Sequence, residues 1–191
     1  MNGVIFVAGI YGVGKSTLCE RLSRLIHIPF YSAGDLISKQ VGETYGENKK
    51  VRNKEHNQNV LIESINQKII KEHLIMLAGH FCILGNDNKP EELPSYVYEK
   101  MNIGAIVLLE ADPCVIIKHL RKRDGKKYAR ELIESFIELE RRCAAKTAEV
   151  LGVPLKVYSM SFTDVDSEKI IEFIKEVYGE DFIRYEYNYS S

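Results

Sequence analysis

The 191-residue sequence has few of the features that would tie a protein to zinc, a membrane or a polyanion. Its four cysteines are far apart and form no Cys-x-x-Cys pair, which argues against a zinc site and indicates buried thiols in a reducing compartment. The formal net charge of −1 gives no general attraction to nucleic acid or to an anionic surface. No apolar run approaches the roughly 20 residues that span a bilayer. We therefore predict a cytoplasmic protein, with neither membrane nor nucleic acid as a partner.

The sequence also lacks internal repeats, low-complexity tracts and a basic leader before its first apolar segment. That segment continues directly into a glycine-rich stretch, so we interpret it as a strand rather than a signal peptide. Hydrophobic residues make up 45% of the chain and charged residues 28%, which are ordinary globular values and exclude disorder as the main state. The length fits a single domain over residues 1–191, with room for a small inserted lid.

What the sequence does contain is a phosphate-binding loop, Gly-Ile-Tyr-Gly-Val-Gly-Lys-Ser-Thr at residues 9–17. An apolar run of strand length precedes it and a helical pattern follows it, which is the context this motif requires. The glycines let successive N–H groups point into one concavity, and the start of the helix adds unpaired N–H donors that favour an anion. We predict that this loop binds a nucleoside triphosphate through Gly9, Tyr11, Gly12, Val13, Gly14, Lys15, Ser16 and Thr17.

Two residues of this loop have specific roles in the prediction. The Lys15 ammonium group would reach the terminal phosphates, and the Ser16 hydroxyl would bind Mg²⁺. We expect ATP and Mg²⁺ as the cofactors.

Apolar runs of strand length alternate with helical patterns along the rest of the chain. Continuous apolar strands suit a parallel sheet that is covered on both faces. We predict an α/β fold of the P-loop NTPase type, a three-layer sandwich with a mostly parallel five-stranded sheet and helices on both faces. Ligands should lie at the carboxyl ends of the strands. A turn-rich loop is expected over residues 85–94, and a second helix is expected from Leu36.

Four stretches resemble the nucleoside-monophosphate kinases, most closely the archaeal-type adenylate kinases and related small P-loop kinases. They are residues 9–17, 31–36, 77–80 and 93–145, and the resemblance covers about residues 3–160. It implies phosphoryl transfer from ATP·Mg²⁺ to a small-molecule acceptor, most often a nucleotide or nucleoside. It also implies an acceptor-binding region over residues 34–72 and a short basic lid over residues 121–130. The oligomeric state and the identity of the acceptor stay open.

The resemblance gives catalytic roles to basic residues that follow the fourth strand of the sheet. Arg123 and Arg130 match lid arginines by position, and Arg142 matches an arginine of the next helix. Together with Lys15 they would neutralise charge on the transferred phosphoryl group. The alternative is that these residues solvate a surface and complement a helix C-terminus.

Asp35 is the acid that we assign to the acceptor. It would accept a hydroxyl proton or hold Mg²⁺ through water, or else act only as an acid in the first turn of a helix. Ser32, Arg52 and His80 complete the predicted acceptor site, although His80 also fits a structural role.

Two positions depart from the family pattern. Ala78 stands where the family has an acid after the third strand, and Ser38 stands where adenylate kinases have an arginine for the acceptor phosphate. The first departure keeps a second hypothesis open, a P-loop ATPase or nucleotide-controlled switch that acts through a partner protein. A degenerate binding module is a third, less favoured because Lys15 and Ser16 are present.

Overall fold

The computed structural model describes residues 3–41, 54–85 and 87–180. Arg52 of the predicted acceptor site lies outside these residues. The strands of the described part are β1 Gly3–Ala8, β2 Phe30–Ser32, β3 Leu74–Ala78, β4 Cys82–Leu84, β5 Pro90–Glu92, β6 Ile103–Glu110 and β7 Leu155–Ser159.

Five of these strands form a parallel sheet in the order β2-β3-β1-β6-β7. Every residue of β1 and β3 is buried, as expected for strands with helices over both faces. The predicted α/β sandwich with a five-stranded parallel sheet is therefore confirmed. Because β1 is central, the segments after β2 and β3 lie on one side of the loop that follows β1, and those after β6 and β7 lie on the other.

The helices are α1 Lys15–Ile26, α2 Ala33–Val41, α3 Lys54–Glu72, α4 Tyr96–Glu99, α5 Pro113–Asp124, α6 Arg130–Leu151 and α7 Val165–Tyr178. Helix α1 packs against α7, α5 against α6, and α2 against α3. Among the helices of the described ranges, none has both the length and the apolar character needed to cross a bilayer.

Three local predictions are wrong. Residues 90–92, predicted as loop, form β5, which pairs antiparallel with β4 in a hairpin separate from the main sheet. Helix α2 begins at Ala33 rather than Leu36, because Ser32 already caps its first turn. Cys114 is exposed on α5, whereas the other three cysteines are buried as expected.

Candidate active site

The phosphate-binding loop, residues 9–17, connects β1 to α1 and depends on glycine at three positions. Gly9 has φ +143° and Gly14 has φ +98°, conformations that other residues rarely adopt. A Cβ atom at Gly9 would lie 2.6 Å from the Leu109 carbonyl oxygen and 2.9 Å from Val13 Cγ1. Gly14 supplies the left-handed residue from which α1 starts. Gly12 between them also has positive φ, +81°, so the loop shape requires glycine at all three positions.

A cavity of about 940 Å³ lies beside this loop, at the carboxyl ends of the parallel strands, and residues of α1 and α3 also line it. The predicted site residues that line it are Tyr11, Gly12, Gly14, Lys15, Ser16, Thr17, Ser32, Asp35, His80 and Arg123. Four others, Gly9, Val13, Arg130 and Arg142, are not among the lining residues. The structure thus brings the loop, the start of α2 and the end of α5 around one space.

Lys15 and His80 converge on one carbonyl group of the loop. Lys15 Nζ donates hydrogen bonds to the carbonyl oxygens of Gly9 and Ile10, at 2.6 and 3.0 Å. His80 Nδ1 lies 2.8 Å from the same Gly9 oxygen. Because a carbonyl group only accepts, His80 Nδ1 must carry a proton, so the 3.4 Å approach of Lys15 to this nitrogen is a close contact rather than a hydrogen bond. A phosphate would compete for Lys15 through stronger, charge-assisted hydrogen bonds.

On the β2 and β3 side of the loop, a few polar groups stand in front of an apolar wall. Ser32 Oγ accepts a hydrogen bond of 3.3 Å from the Asp35 N–H, and Asp35 itself is exposed where it lines the cavity. Ala78 ends β3 in this region and also lines the cavity. Gln58 of α3 is a buried amide in the wall. The apolar part of the wall comprises Ile37, Leu61, Ile83, Leu93, Val97 and Met101.

On the β6 and β7 side, the cavity is bordered by aromatic rings that the sequence analysis did not select. His119 Nδ1 donates a hydrogen bond of 2.9 Å to the Gly12 carbonyl oxygen, and its ring meets the Phe162 ring edge-on at 4.9 Å. Phe162 is 42% exposed and has φ +61° in the loop after β7. An exposed ring beside a phosphate-binding loop offers a flat face on which a nucleobase can stack.

Asp166, in the first turn of α7, anchors this aromatic loop. It is 2% exposed and accepts hydrogen bonds from the Ser161 N–H at 2.9 Å, the Ser161 hydroxyl at 2.6 Å and the Tyr158 hydroxyl at 3.0 Å. Burial by itself would raise the pKa of the Asp166 carboxyl, but these hydrogen bonds outweigh it and hold the pKa below its ordinary value. The ionised carboxylate therefore fixes the segment that carries Phe162.

The three arginines with predicted catalytic roles differ in their surroundings. Arg123 lines the cavity and pairs with Asp124. Arg130 pairs at 2.7 Å with Glu134, one turn along its own helix. Arg142 lies 3.6 Å from a carboxylate oxygen of β5. The roles of Arg130 and Arg142 in phosphoryl transfer stay predictions.

A buried glutamate on α6 is the functional candidate that sequence reasoning missed most clearly. Glu140 is 1% exposed. Its Oε1 accepts from the Gly9 N–H at 3.1 Å, and its two oxygens accept from the Phe81 N–H at 2.9 and 3.0 Å. Oε2 also accepts from the Cys82 N–H at 2.8 Å. A signal was available, because Glu140 occupies the apolar helical stripe of Ile133, Phe136 and Ala144.

Opposing influences act on the Glu140 carboxyl. Burial raises its pKa above the ordinary value, while the three N–H donors and the charge of Lys15 favour the ionised form. Since all of its hydrogen-bond contacts are with donors, the carboxylate is the form that satisfies this arrangement.

The residues around the loop fit Mg²⁺ delivered with a nucleotide. Within residues 3–41, 54–85 and 87–180, no group of three or more His, Cys, Asp or Glu side chains could hold a metal ion by itself. Ser16, at the start of α1, offers one hydroxyl ligand to the cavity, and Asp35 offers a carboxylate. Mg²⁺ commonly takes few protein ligands and completes its shell with phosphate oxygens and water.

A family model described as an AAA domain (AAA_17) matches residues 8–136. The chain belongs to this family, and with relatives named adenylate kinase and shikimate kinase it falls among the small P-loop proteins that resemble nucleoside-monophosphate kinases.

Two relatives are named as kinases with different substrates. Adenylate kinase 1 of Schistosoma mansoni is 29% identical over 123 residues, which are 63% of this chain and 62% of that protein. A shikimate kinase of Caldanaerobacter subterraneus is 25% identical over 140 residues, 68% of this chain and 77% of the relative. The match thus spans less than two thirds of the length of the schistosome protein.

Solved structures with the same fold cover nearly the whole chain. A shikimate kinase of Acinetobacter baumannii in complex with shikimate has a TM-score of 0.61 at 15% identity, over 92% of this chain and 94% of its own. A gluconokinase of Sinorhizobium meliloti has a TM-score of 0.53 at 14% identity, over 92% and 97%. At this identity the similarity shows the fold, a P-loop α/β sandwich.

Proposed function

We propose that this protein transfers the γ-phosphoryl group of ATP·Mg²⁺ to a small acceptor, a nucleoside or nucleotide. The observation that carries the proposal is that one cavity, of about 940 Å³, reaches both sides of the phosphate-binding loop. Its volume is at the upper end of the range for small-molecule sites, which suits two ligands bound side by side. A protein that only binds a nucleotide needs the space on one side alone.

The donor nucleotide is assigned to the loop and the β6–β7 side of the cavity. Lys15 and Arg123 would neutralise the phosphates, Ser16 would hold Mg²⁺, and the base would stack on Phe162. Bound Mg²⁺ would supply charge neutralisation on the transferred group. The basic segment 121–130, which includes Arg123 and Arg130, would act as a lid over this donor, and Arg142 of the next helix would add a further positive charge.

The acceptor is assigned to the β2–β3 side, within region 34–72 and next to His80. Asp35 is an exposed carboxylate at the cavity, and such a group can accept the proton of an attacking hydroxyl. The apolar wall behind it suits a base or a sugar face rather than a second phosphate. We therefore favour a nucleoside hydroxyl as the acceptor over a nucleoside monophosphate, with Ser32 and Arg52 as further contacts.

A nucleotide-controlled switch or ATPase that acts through a partner protein is the second candidate. Ala78 favours it, because an alanine at the end of β3 cannot orient a hydrated cation as an acid would. In that case the β2–β3 side of the cavity would bind a segment of the partner rather than a small molecule.

An acceptor panel separates these candidates. ADP formation from ATP·Mg²⁺ is measured alone and with nucleosides, nucleoside monophosphates, sugars and hydroxylated acids. We expect acceptor-dependent ADP with a nucleoside, and we expect Asp35→Asn to lower its rate about 100-fold, as for loss of a general base. The exposed residue Lys146 provides a control, Lys146→Ala, that should keep the wild-type rate.

Two results would overturn the proposal. ADP formation that is the same with and without every acceptor would favour the ATPase or switch. Acceptor-independent hydrolysis that persists in Arg123→Ala but disappears in Lys15→Ala would also overturn it, because the lid would then have no role in phosphoryl transfer.

A further inference from the structure

Glu140 joins three segments that are distant in the sequence. Its carboxylate binds the N–H of Gly9, 131 residues away, and the N–H groups of Phe81 and Cys82, 59 and 58 residues away. Gly9 is the first residue of the phosphate-binding loop, and Phe81 directly follows His80. One side chain of α6 thus holds both the entrance of the loop and the segment that carries His80.

The position of Gly9 makes this contact relevant to the nucleotide site. The Gly9 N–H points to Glu140, while the Gly9 carbonyl oxygen receives Lys15 Nζ at 2.6 Å and lies 2.8 Å from His80 Nδ1. Loss of the Gly9 N–H contact would therefore reorient Gly9. Its carbonyl oxygen, which contacts Lys15 and His80, would move with it.

The His80 segment is fixed from further directions. The Tyr98 hydroxyl donates a hydrogen bond of 2.8 Å to the His80 carbonyl oxygen, and the Gly79 N–H bonds to the Val7 carbonyl oxygen at 3.1 Å. With Glu140 bound at Phe81, the main chain on both sides of His80 is held. These contacts fix the position of the His80 imidazole ring beside the phosphate-binding loop.

The N–H groups of Gly9, Phe81 and Cys82 need an acceptor, so Glu140 also contributes to stability. The placement of these donors, at the entrance of the loop and directly after His80, adds a second consequence for the nucleotide site. The neighbours of Glu140 on the same helical stripe, Phe136 and Ala144, are apolar. What a carboxylate supplies and a leucine cannot is acceptors for N–H groups of two different segments.

We infer that Glu140 is a positioning residue that holds the phosphate-binding loop and the His80 segment in the geometry that receives the donor phosphates. This inference rests on the proposed donor site, but it does not depend on which acceptor is used. Glu140 itself is 1% exposed and is not among the residues lining the cavity, so it acts through Gly9 and His80 rather than by contact with the nucleotide.

Glu140→Gln tests the inference at nearly constant volume. The glutamine amide offers one acceptor oxygen and places an NH₂ group against backbone N–H donors. The hydrogen bonds from Gly9, Phe81 and Cys82 therefore cannot all form. We expect the dissociation constant of Mg·ATP, measured by calorimetry without acceptor, to rise about tenfold, or about 1.4 kcal/mol. The Gly9 and Cys82 amide proton resonances of the free protein should move upfield, because they lose a charged acceptor.

The matched control is Glu138→Gln, which makes the same chemical change at an exposed position two residues away on α6. It should leave both the Mg·ATP affinity and the Gly9 resonance at their wild-type values. Unaltered affinity and unaltered amide resonances in folded Glu140→Gln would overturn the inference. A melting temperature that falls while affinity stays unchanged would also overturn it, since the role would then be structural only.

A second variant covers the case in which Glu140→Gln does not fold. Glu140→Asp keeps the charge with one methylene less, so it cannot keep its distances to both Gly9 and Cys82, and a loss of affinity of at least about threefold is expected. Wild-type affinity in this variant would overturn the inference. Failure of the proposed function is recognised separately, because Mg·ATP binding is measured without phosphoryl transfer. The amide resonances report the hydrogen bonds to Glu140 in the absence of nucleotide.

Discussion

Gly9→Ala probes the entrance of the phosphate-binding loop. The new Cβ would lie 2.6 Å from the backbone carbonyl oxygen of Leu109 and 2.9 Å from Val13 Cγ1. The backbone clash cannot be relieved by rotating a side chain, and φ of +143° is unfavourable for alanine. Strain at such a residue costs about 1–3 kcal/mol, and overpacking costs about 1–3 kcal/mol more. We therefore expect a loss of about 4 kcal/mol in the free energy of unfolding.

Gly152→Ala is the control for this prediction. Gly152 also has positive φ, +64°, but a Cβ there would meet no atom within 4 Å. Only the left-handed backbone term applies, about 1–2 kcal/mol. Equilibrium urea unfolding of both variants should show Gly9→Ala less stable by about 2–3 kcal/mol. A difference below about 1 kcal/mol would mean that the loop relaxes around the methyl group and would refute the close-approach argument.

Three further perturbations test separate parts of the site. Lys15→Met should weaken Mg·ATP binding about 30- to 160-fold, because a charged hydrogen bond worth about 2–3 kcal/mol is lost. Calorimetry measures the affinity, and a change below about threefold would contradict the assignment. Phe162→Ala should weaken Mg·ATP binding about fivefold but leave inorganic triphosphate binding unchanged, since only the base stacks on the ring; equal losses for both ligands would exclude stacking. Asp166→Asn should be destabilising at pH 6, where the wild-type carboxylate is ionised. Because the pKa of Asp166 is lowered in the folded state, its contribution is present above about pH 4 and lost as the pH falls further, so wild type and variant should converge in urea unfolding at low pH. A gap that stays constant with pH would contradict this.

The central sheet was predictable because its inner strands, β1, β3 and β6, are nearly continuous apolar runs between helical patterns. A parallel sheet buried on both faces leaves that pattern, as the full burial of β1 and β3 shows. The hairpin of β4 and β5 was not predictable in the same way. Its second strand, β5, is Pro-Glu-Glu, a sequence without strand propensity. Its pairing is set by β4 at residues 82–84.

The candidate site also has a part that the sequence predicts and a part that it does not. The loop from Gly9 to Thr17 could be identified because its function requires a fixed spacing of glycines, lysine and serine within one segment. Glu140 could not be assigned a role, because its partners lie 58 to 131 residues away and only the folded chain brings them together. Arg123 and Arg130 were equivalent by sequence, yet only Arg123 lines the cavity, since the direction of a side chain depends on helix packing.

The most direct test of the proposed activity is to follow the γ-phosphoryl group itself. ATP labelled in this group is incubated with Mg²⁺, the protein and the nucleoside that gives the most ADP, and the products are separated. We expect the label to move to a phosphorylated nucleoside in wild type and to stay in ATP in Lys15→Met. Label that is released only as inorganic phosphate, with every acceptor supplied, would contradict the proposed phosphoryl transfer.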